Sequence, residues 1–582
     1  MHSTPLSGSI TSIVTSSSDL RLSLRPGDVG GSRFAVGCAH REVNDRNSRY
    51  DGLALLPVDD QQQMRFDEGL EFEDEVFAEL SRLHKISSMR VFDDAEAATA
   101  QAMQRGDRIV LGAALPIVNH RGGRPDILIR FGDSKLPNDK WAYLPVDVKN
   151  SRPLEGSAKA KVWSVSSRSE PWFESATDTD LGVGRAKSDH GLQLAHYWLM
   201  LTDLGHAPDI APIGGTINPD LGITWRPLDD GKDSLLEQVR SEWASRWAAV
   251  ESMRRDERPH TRPVYRDECK TCRWHDVCES ELVAEGHVSL LQGVGVLAVR
   301  KLAEGGVETI PHLAALDPVH LETNPVPAYS RLSADIDTAR VFLRDDARPY
   351  YKRGSEAIVV PRADVEIDFD IENDDIVYMY GCHVSERRAD GNWNDGEYRS
   401  FHSFDRSDPR IEGRLLADFW TWLHDLVSRT EATGRTIAVY CYSGGFAEIP
   451  RMKEASARAA TDSGVPSLEA IGALPSNDWW VDMHDLVKRF HWPTRKLGLK
   501  DVAPLSGFAW DAEDASGGNS ILWYRAACDP TNPDRGVMAD KLLRYNADDV
   551  MATLALRRWL DDGVNGRGWR IESVESLGAP GA

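Results

Sequence analysis

Cysteine is scarce in this chain, and long apolar runs are missing. Seven cysteines in 582 residues are too few for a disulfide scaffold. No stretch approaches the roughly 18 consecutive apolar residues of a membrane span, and the first forty residues lack the basic-then-apolar order of a secretion signal. We therefore expect a cytoplasmic protein without a membrane segment.

Positive charge is also in short supply. The 68 Lys and Arg residues face 91 Asp and Glu residues, which gives a formal net charge of −23. This balance argues against a protein that coats nucleic acid by bulk charge attraction. It does not exclude an enzyme that acts on nucleic acid, because such enzymes gather carboxylates around metal ions and confine positive charge to a channel.

A nucleotide-driven motor motif is missing as well. The chain contains no G-x-x-x-x-G-K-[ST] sequence, so it has no P-loop to hold a nucleoside triphosphate. Any unwinding of a nucleic acid would therefore require a helicase partner.

The composition predicts several folded domains. The hydrophobic fraction of 41% and the charged fraction of 27% are ordinary for globular proteins. At roughly 150 residues per domain, the length predicts three or four folded units. Changes of pattern along the chain predict an α/β multidomain protein with a flexible tail (1–25), a first α/β domain (26–280), a helical connector (281–360), a second α/β domain (361–570) and a tail (571–582).

Apolar periodicity predicts the elements of these domains. In the first α/β domain we expect a helix from Phe66 onward, strands over Ile109–Leu115, Asp126–Phe131 and Trp141–Lys149, and helices over Gly191–Leu204 and Leu235–Met253. In the second we expect strands over Val365–Ile371, Ile376–Val384 and Thr436–Tyr442, and helices over Arg414–Arg429 and Asp540–Leu560.

Two acids and a lysine form the first chemical constellation. Asp147 and Lys149 are two residues apart on a predicted strand, so their side chains point to the same face. Asp126, at the start of the preceding strand, supplies a second carboxylate. Two hard oxygen ligands and an ammonium are a minimal Mg²⁺ site for phosphodiester hydrolysis. The alternative is an ordinary surface ion pair between Asp147 and Lys149.

Three further polar residues surround this constellation. Gln193 and Tyr197 are four residues apart, so both lie on one face of a predicted helix, and Glu73 on the earlier helix is a further candidate metal ligand. With them, the first domain resembles the RecB-like branch of the PD-(D/E)XK nucleases, which have a restriction-endonuclease-like fold. The resemblance assigns catalytic roles to Asp126, to the D-x-K pair Asp147 and Lys149, and to the Q-x-x-x-Y pair Gln193 and Tyr197.

Four cysteines bracket the first domain. Cys38 precedes the acidic motifs, and Cys269, Cys272 and Cys278 follow them. RecB-like nucleases with an iron-sulfur staple carry one N-terminal cysteine and a C-terminal triplet in this order, so the resemblance implies a [4Fe-4S] cluster. Tetrahedral zinc is the alternative, and His275 leaves a Cys₃His zinc site open. The remaining thiols, Cys382, Cys441 and Cys528, are interpreted as buried apolar groups.

The connector contains a glycine pair that resembles a helix-hairpin-helix motif. Gly293 and Gly295 lie in the sequence Leu291-Gln-Gly-Val-Gly-Val-Leu-Ala298. Glycines at such a hairpin let its backbone approach a DNA phosphate, which backbone amides at a helix N-terminus bind without reading sequence. An ordinary helical hairpin with a glycine turn is the alternative.

A second acidic constellation lies in the C-terminal domain. Asp370 and Glu372 share one face of a predicted strand, and Tyr545 and Asp549 are one turn apart at the predicted start of the last helix. This combination resembles the tyrosine form of the DEDD exonucleases in the RNase H-like fold, of the YprB type found fused behind RecB-like domains. The resemblance implies that Asp370, Glu372 and Asp549 hold two metal ions and that Tyr545 positions the attacking water.

The fourth acid of this constellation is open between two residues. Glu448 follows the strand that ends near Tyr442, where the family has its middle acid, and Asp482 is the second choice. We choose Glu448, whose side chain is one carbon longer than the usual aspartate.

Together these patterns predict a nuclease that uses Mg²⁺ or Mn²⁺ at two sites. The expected substrate is DNA, as ends or single strands, in repair, recombination or defence. Two alternatives stay open: a nucleic-acid-binding scaffold with one or both sites inactive, and an RNA-processing 3′–5′ exonuclease, because nothing in the sequence reads a 2′-hydroxyl.

Overall fold

The computed structural model divides the chain into two compact units. The first unit consists of residues 1–263 and 271–276, and the second of residues 264–270 and 277–582. The predicted tail over 1–25 lies outside the described residues. The structure describes residues 31–579 except 32–33, 35, 47–51, 54, 87, 151–163, 179–187, 220, 230, 232–233, 256–260, 356–357, 395, 446 and 512–516.

The first unit combines helices with a large mixed sheet. Its described helices are α1 (Ala39–Asn44), α2 (Asp60–His84), α3 (Ala95–Arg105), α4 (Ser188–Asp203) and α5 (Leu235–Arg254). Its described strands are β1 (Ile109–Leu111), β2 (Leu115–Val118), β3 (Arg121–Gly123), β4 (Ile127–Phe131), β5 (Ala142–Val148), β6 (Ser164–Ser166), β7 (Thr177–Asp178), β8 (Ile213–Asn218) and β9 (Leu221–Pro227).

Seven of these strands form one sheet in the order β1-β4-β5-β8-β9-β6-β7. Strand β5 lies between β4, which is antiparallel to it, and β8, which is parallel to it. All seven residues of β5 are buried, which fits its nearly continuous apolar sequence. The end of this central strand therefore places Asp147 inside the unit, although its side chain is ionisable.

Two predicted elements of the first unit have different bounds in the structure. Helix α2 begins at Asp60, before the predicted Phe66, because the Asp59 carboxylate caps it by accepting a 2.7 Å hydrogen bond from the Gln62 amide. The predicted strand Ile109–Leu115 was wrong as a single element. It is interrupted at Gly112, whose φ of +61° is incompatible with a continuous strand.

The second unit contains the remaining elements. Its helices are α6 (His275–Glu285, whose first two residues fall in the first unit), α7 (Val296–Glu304), α8 (Ile310–Ala314), α9 (Leu332–Phe342), α10 (Ile411–Ala432), α11 (Glu448–Arg458), α12 (Leu468–Ala473), α13 (Met483–Val487), α14 (Leu499–Val502), α15 (Gly517–Cys528) and α16 (Arg535–Asn565). Its strands are β10 (Tyr350–Tyr351), β11 (Val365–Asn373), β12 (Val377–Glu386), β13 (Glu397–His402), β14 (Ile437–Cys441), β15 (Trp480–Asp482) and β16 (Phe490–His491).

A five-stranded sheet in the order β13-β12-β11-β14-β15 is the centre of this unit. Strand β11 has the sequence VEIDFDIEN, in which apolar and acidic residues alternate. Alternate residues of a strand point to opposite faces of the sheet. The apolar set packs against α10, where the Phe369 and Phe419 rings stack with centroids 4.9 Å apart. The acidic set therefore points to the other face, which α16 crosses.

Helix α16 begins earlier than the sequence predicted. It starts at Arg535, ten residues before Tyr545, so the tyrosine motif lies inside the helix and does not open it. The predicted start was wrong: Asp534, a residue type favoured before the first turn of a helix, is the N-cap and was not used as the start signal.

The segment between α6 and β10 has an apolar core of its own. Buried residues of α7, α8 and α9, among them Leu302, Leu313 and Ile336, pack together with Val288 and Leu290. Among the described residues no helix is long and apolar enough to span a bilayer.

Candidate functional site

Three carboxylates of the second unit converge at the end of β11. Asp370 and Glu372 come from the acidic face of the strand, and Asp549 comes from α16. One oxygen of each lies within 4.8 Å of the others. In the described part of the chain, this is the group of His, Cys, Asp or Glu side chains whose spacing suits a metal ion. The three acids that the sequence patterns single out therefore lie close together in the structure.

The position of α16 on the strand is set by a second, fully buried group of charges. The Arg557 guanidinium contacts Asp368 at 2.6 and 2.8 Å and Glu366 at 2.6 Å. From Asp549 to Arg557 the helix rises about 12 Å. From Glu372 and Asp370 to Asp368 and Glu366 the strand spans about 13 Å. The ion pairs and the three-carboxylate cluster therefore match the same helix register.

Two neutral donors orient the clustered carboxylates. The Trp510 indole N–H donates a 2.6 Å hydrogen bond to Asp549 Oδ1, and the Asn546 amide donates a 2.8 Å hydrogen bond to Asp370 Oδ2. The Asn546 side chain lies so close to Gly381 that a Cβ at that position would collide with it. Gly381 pairs with Asp370 across the sheet, so its missing side chain makes room for the asparagine.

The electrostatics of the cluster suit a cation. Burial, followed by the Asp549 carboxylate, raises the pKa of Glu372 to about 8. Burial and the carboxylates of Glu372 and Asp549 raise the pKa of Asp370 well above its ordinary range. Three like charges removed from water need protons or a cation to remain together. Carboxylate oxygens are the ligands that Mg²⁺ and Mn²⁺ prefer, so this donor set fits either ion.

A tyrosine and a lysine stand beside the cluster. The Lys500 ammonium donates a 2.7 Å hydrogen bond to the Tyr545 hydroxyl and also lies over its ring, 4.4 Å from the centroid. The same hydroxyl is hydrogen-bonded to Asp549, one helical turn away. Burial raises the pKa of Tyr545, so the phenol keeps its proton. The tyrosine therefore presents a fixed, protonated hydroxyl next to the carboxylates.

The two candidates for the fourth acid have different surroundings. Glu448 is buried at the start of α11, and burial raises its pKa to about 8. It is close enough to raise the pKa of Asp370, although it lies outside the group of three. Asp482 instead accepts hydrogen bonds from the backbone amides of Ser443, Gly445 and His484, at 3.1, 3.3 and 2.9 Å. Its carboxylate therefore holds a loop together.

Comparison with known proteins identifies this part of the chain. Residues 367–561 match a family model described as the RNase_H superfamily. The segment is an RNase H superfamily domain. The three carboxylates, Tyr545 and Arg557 all lie inside the matched range.

The comparisons with curated proteins and with solved structures add no functional information. No curated protein matches the chain. Among solved structures, a family B DNA polymerase from the hyperthermophilic archaeon Pyrobaculum calidifontis is similar over 34% of this chain and 25% of its own chain, with 20% identity and a TM-score of 0.24. A TM-score this low carries no information on function.

Outside the RNase H superfamily domain, the first unit brings its predicted acids together. Asp126 Oδ2 accepts a 2.7 Å hydrogen bond from the Val148 amide, next to Asp147. Lys149 Nζ lies 3.3 Å from Asp147 Oδ2, and the Asp147 side chain is fully buried. Burial and the Asp147 carboxylate raise the pKa of Asp126 to about 8. The alternative of a surface ion pair does not fit this burial.

The other predicted residues of the first unit have partners of their own. Glu73 contributes to the raised pKa of Asp126, but Arg90 forms an ion pair with it. Gln193 donates a 2.9 Å hydrogen bond to the Tyr197 hydroxyl, which donates to the Arg124 carbonyl at 3.0 Å. The glutamine and tyrosine therefore hold the turn that leads into Asp126.

The four predicted cluster cysteines are divided between the two units. Cys38 and Cys272 belong to the first unit, and Cys269 and Cys278 belong to the second. Within the first unit, Cys38 is close enough to contribute to the raised pKa of Cys272, whose main cause is burial. The [4Fe-4S] cluster and its zinc alternative stay predictions. Cys382 and Cys441 are buried, as interpreted from sequence, whereas Cys528 is half-buried.

The two connector glycines lie at the start of α7. Gly295 is its N-cap residue, and a Cβ there would meet no atom within 4 Å. Gly293 has a φ of +82°, and a Cβ there would collide with the Arg331 guanidinium. The preceding segment, Val288–Leu290, is a single 3₁₀ turn.

Four important residues of the RNase H superfamily domain were missed from sequence: Lys500, Trp510, Asn546 and Arg557. A partial signal existed for Arg557, because a basic residue on an otherwise apolar helix stripe suggests a buried acidic partner. Lys500 lies in the four-residue helix α14 and Trp510 lies in a loop after it, and neither segment has a periodicity in sequence that would indicate these residues.

Proposed function

We propose that the RNase H superfamily domain is a metal-dependent nuclease that hydrolyses phosphodiester bonds of DNA. The observation that carries the proposal is the group of three carboxylates from β11 and α16 within 4.8 Å. Asp370, Glu372 and Asp549 would hold Mg²⁺ or Mn²⁺. A bound divalent cation supplies Lewis-acid activation of the phosphate and lowers the pKa of a water molecule.

The neighbouring side chains support this chemistry by fixing its geometry. Trp510 and Asn546 each restrain one carboxylate, so the oxygens face the cation in one orientation. The Tyr545 hydroxyl, held between Lys500 and Asp549, would position the attacking water by a hydrogen bond. Glu448 lies near enough to Asp370 to serve as the fourth acid when a cation draws the acids together.

The experiment is a cleavage panel with end-labelled single- and double-stranded DNA and RNA in Mg²⁺ or Mn²⁺. In a Lys149→Ala background, which disables the second candidate site discussed below, Asp370→Asn and Asp549→Asn should each lower cleavage more than about 100-fold, because each removes a candidate metal ligand. Asp540→Asn is the matched control, since Asp540 is an exposed acid on the same helix α16. Undiminished cleavage by Asp370→Asn in the Lys149→Ala background would refute the proposal. Cleavage of RNA alone would contradict a DNA nuclease and support the alternative of an RNA exonuclease.

A second nuclease site in the first unit is favoured by a separate observation. Asp126 and Asp147 are buried side by side and Lys149 lies 3.3 Å from Asp147. We propose that these three residues form a second Mg²⁺ or Mn²⁺ site, with Lys149 stabilising charge on the phosphate. The test is Lys149→Ala alone and combined with Asp370→Asn. Loss of cleavage only in the combined variant would mean two active sites, and no effect of Lys149→Ala in the Asp370→Asn background would exclude the second.

The cysteine cofactor is a further proposal that comes from the sequence pattern. A [4Fe-4S] cluster on Cys38, Cys269, Cys272 and Cys278 would make anaerobically purified protein brown, through thiolate-to-iron charge transfer. A colourless preparation that contains zinc would contradict the cluster and favour the zinc alternative.

A further inference from the structure

A basic cleft opens on the second unit, and its lining does not include the three carboxylates. It has a volume of about 700 Å³ and is lined by residues 265–267, the turn before α7, the residue just before α9, the residue just after β10 and the segment from α13 to the residue before α14. Its basic lining residues are Arg266, Arg331, Lys352, Lys488, Arg495 and Lys496. Asp267 is the acid in the lining. In a chain with a net charge of −23, this is a local reversal of sign.

Two of the lysines have no carboxylate partner within ion-pair distance among the described residues. Lys352 donates its hydrogen bond to the Lys488 carbonyl, and Lys496 donates one of 2.9 Å to the Tyr265 hydroxyl. Arg331 also faces Lys352 and contributes, after burial, to its lowered pKa. Half-buried cations held next to each other in this way create a site for an anion.

Other cations of the cleft are partly compensated. Arg331 contacts Asp335 at 3.2 Å, and Arg495 forms an ion pair with Glu279. The Asp335 side chain is fully buried, so Arg331 stays paired with it, whereas both side chains of the Arg495–Glu279 pair are only half-buried, so Arg495 can exchange its carboxylate for a phosphate oxygen at smaller cost. The two uncompensated lysines therefore carry most of the attraction for an anionic ligand.

Two glycines, Gly293 and Gly295, line the cleft just before α7. Arg331 lies against Gly293, and Gly295 caps α7 with no side chain over the first amides of that helix. A repeating anion can therefore meet both side-chain cations and main-chain N–H groups along one wall.

The cleft is continuous in sequence with the candidate active site. Lys496, Leu497 and Gly498 line it, and Lys500, two residues further in α14, donates a hydrogen bond to Tyr545. The segment that lines the cleft therefore continues along the chain to a lysine that contacts Tyr545, whose hydroxyl is hydrogen-bonded to Asp549.

We propose that this cleft binds the phosphodiester backbone of a nucleic-acid strand and leads it toward Asp370, Glu372 and Asp549. The inference rests on the nuclease function proposed above and adds the path of its substrate. Contacts to phosphates alone would bind the strand without reading its sequence.

The test measures how tightly the full chain binds a fluorescein-labelled oligo-dT of roughly 20 nucleotides in EDTA. Fluorescence anisotropy of the oligonucleotide gives the affinity at each of a series of salt concentrations. The variant is Lys352→Gln combined with Lys496→Gln. The control is Arg410→Gln combined with Arg414→Gln, which removes the same charge beside α10, on the opposite face of the sheet from the acids. The variant should bind roughly tenfold more weakly, and its salt slope should fall by about 1.4, at about 0.7 per phosphate contact.

The outcomes distinguish a failure of the binding proposal for the cleft from a failure of the nuclease proposal. If the variant and the control bind with equal affinity and equal salt slope, the proposal that the cleft binds the strand is overturned, whatever the cleavage panel shows. Because no metal is present, a failure of the nuclease proposal leaves this binding result unaffected. Lys496→Glu alone is a second variant, and it should weaken binding more than Lys496→Gln while circular dichroism stays that of the wild type.

Discussion

Arg557 and Asp368 form a doubly hydrogen-bonded ion pair at 2.6 and 2.8 Å, and both side chains are fully buried. The pair joins the middle of α16 to the strand that carries Asp370. Two turns of helix separate Arg557 from Asp549. A buried pair of this kind adds little net free energy of folding, because the Coulomb attraction roughly offsets the desolvation of the charges. Its main effect is then to select one packing arrangement of the helix on the strand. We interpret it as the contact that fixes the register of α16 on β11.

Arg557→Met should be strongly destabilising. It leaves Asp368 and Glu366 buried without their main cation, and removal of one partner of a buried pair costs about 3–5 kcal/mol. Urea unfolding of the full chain measures the effect. Arg558→Met is the matched control, since Arg558 is half-buried and contacts the Ser385 hydroxyl at 3.4 Å, so it should cost less than about 1 kcal/mol. Equal losses for both variants would contradict the role given to Arg557.

Gly381→Ala should disturb the acidic cluster without touching a carboxylate. The added methyl group would collide with Asn546 and break its 2.8 Å hydrogen bond to Asp370. We expect a lower affinity for Mn²⁺, by about 10- to 100-fold, measured by calorimetric titration. Gly536→Ala is the control, because nothing lies within 4 Å of its Cβ position on α16 and alanine favours the helix. Wild-type Mn²⁺ affinity in Gly381→Ala would show that Asn546 does not orient Asp370.

The strand and helix motifs could be predicted because they are local. Alternation along β11 places Asp370 and Glu372 on one face, and helical spacing brings Tyr545 within reach of Asp549. These relations need only the geometry of one element each. Their meeting in one cluster followed from a family resemblance, since the strand and the helix are more than 170 residues apart.

The same alternation could not separate two kinds of acid. Glu366 and Asp368 share the face of Asp370 and Glu372, yet they are ion-pair partners of a single arginine. That difference depends on where Arg557 lies once α16 has packed, and tertiary packing leaves no local trace in the sequence. Lys500 and Trp510 were missed for the same reason, since only the fold brings them to the cluster.

The metal-free protein should lose stability as pH rises. Burial and Asp549 raise the pKa of Glu372 from 4.5 to about 8, so the folded state holds a proton that the unfolded state releases. The stabilisation is complete below about pH 4.5 and is lost as pH rises through about 8, at up to about 1.4 kcal/mol per pH unit. Glu372→Gln should have a flatter profile in EDTA, measured by thermal unfolding. Parallel profiles for the two proteins would contradict the raised pKa.

Divalent cations should reverse this loss. A cation that binds the ionised cluster replaces the proton, so Mn²⁺ should raise the Tm of the wild type more at pH 8 than at pH 5.5. Asp370→Asn combined with Asp549→Asn should lose this pH-dependent increase. An increase of the same size in the double variant would assign the stabilising cation to another site, such as the acids of the first unit.

Tyr545→Phe and Lys500→Met should each lower kcat and together lower it no further. Lys500 acts on the reaction through the hydroxyl that it holds at 2.7 Å, so removing the hydroxyl also removes the effect of the lysine. Single-turnover cleavage by the two single variants and the double variant measures this coupling. The Tyr545 hydroxyl is also hydrogen-bonded to Asp549, so Mn²⁺ affinity should fall by about 10- to 100-fold in Tyr545→Phe, and the three variants are therefore compared at saturating Mn²⁺. Additive losses in the double variant would mean that Lys500 acts on the phosphate independently of Tyr545.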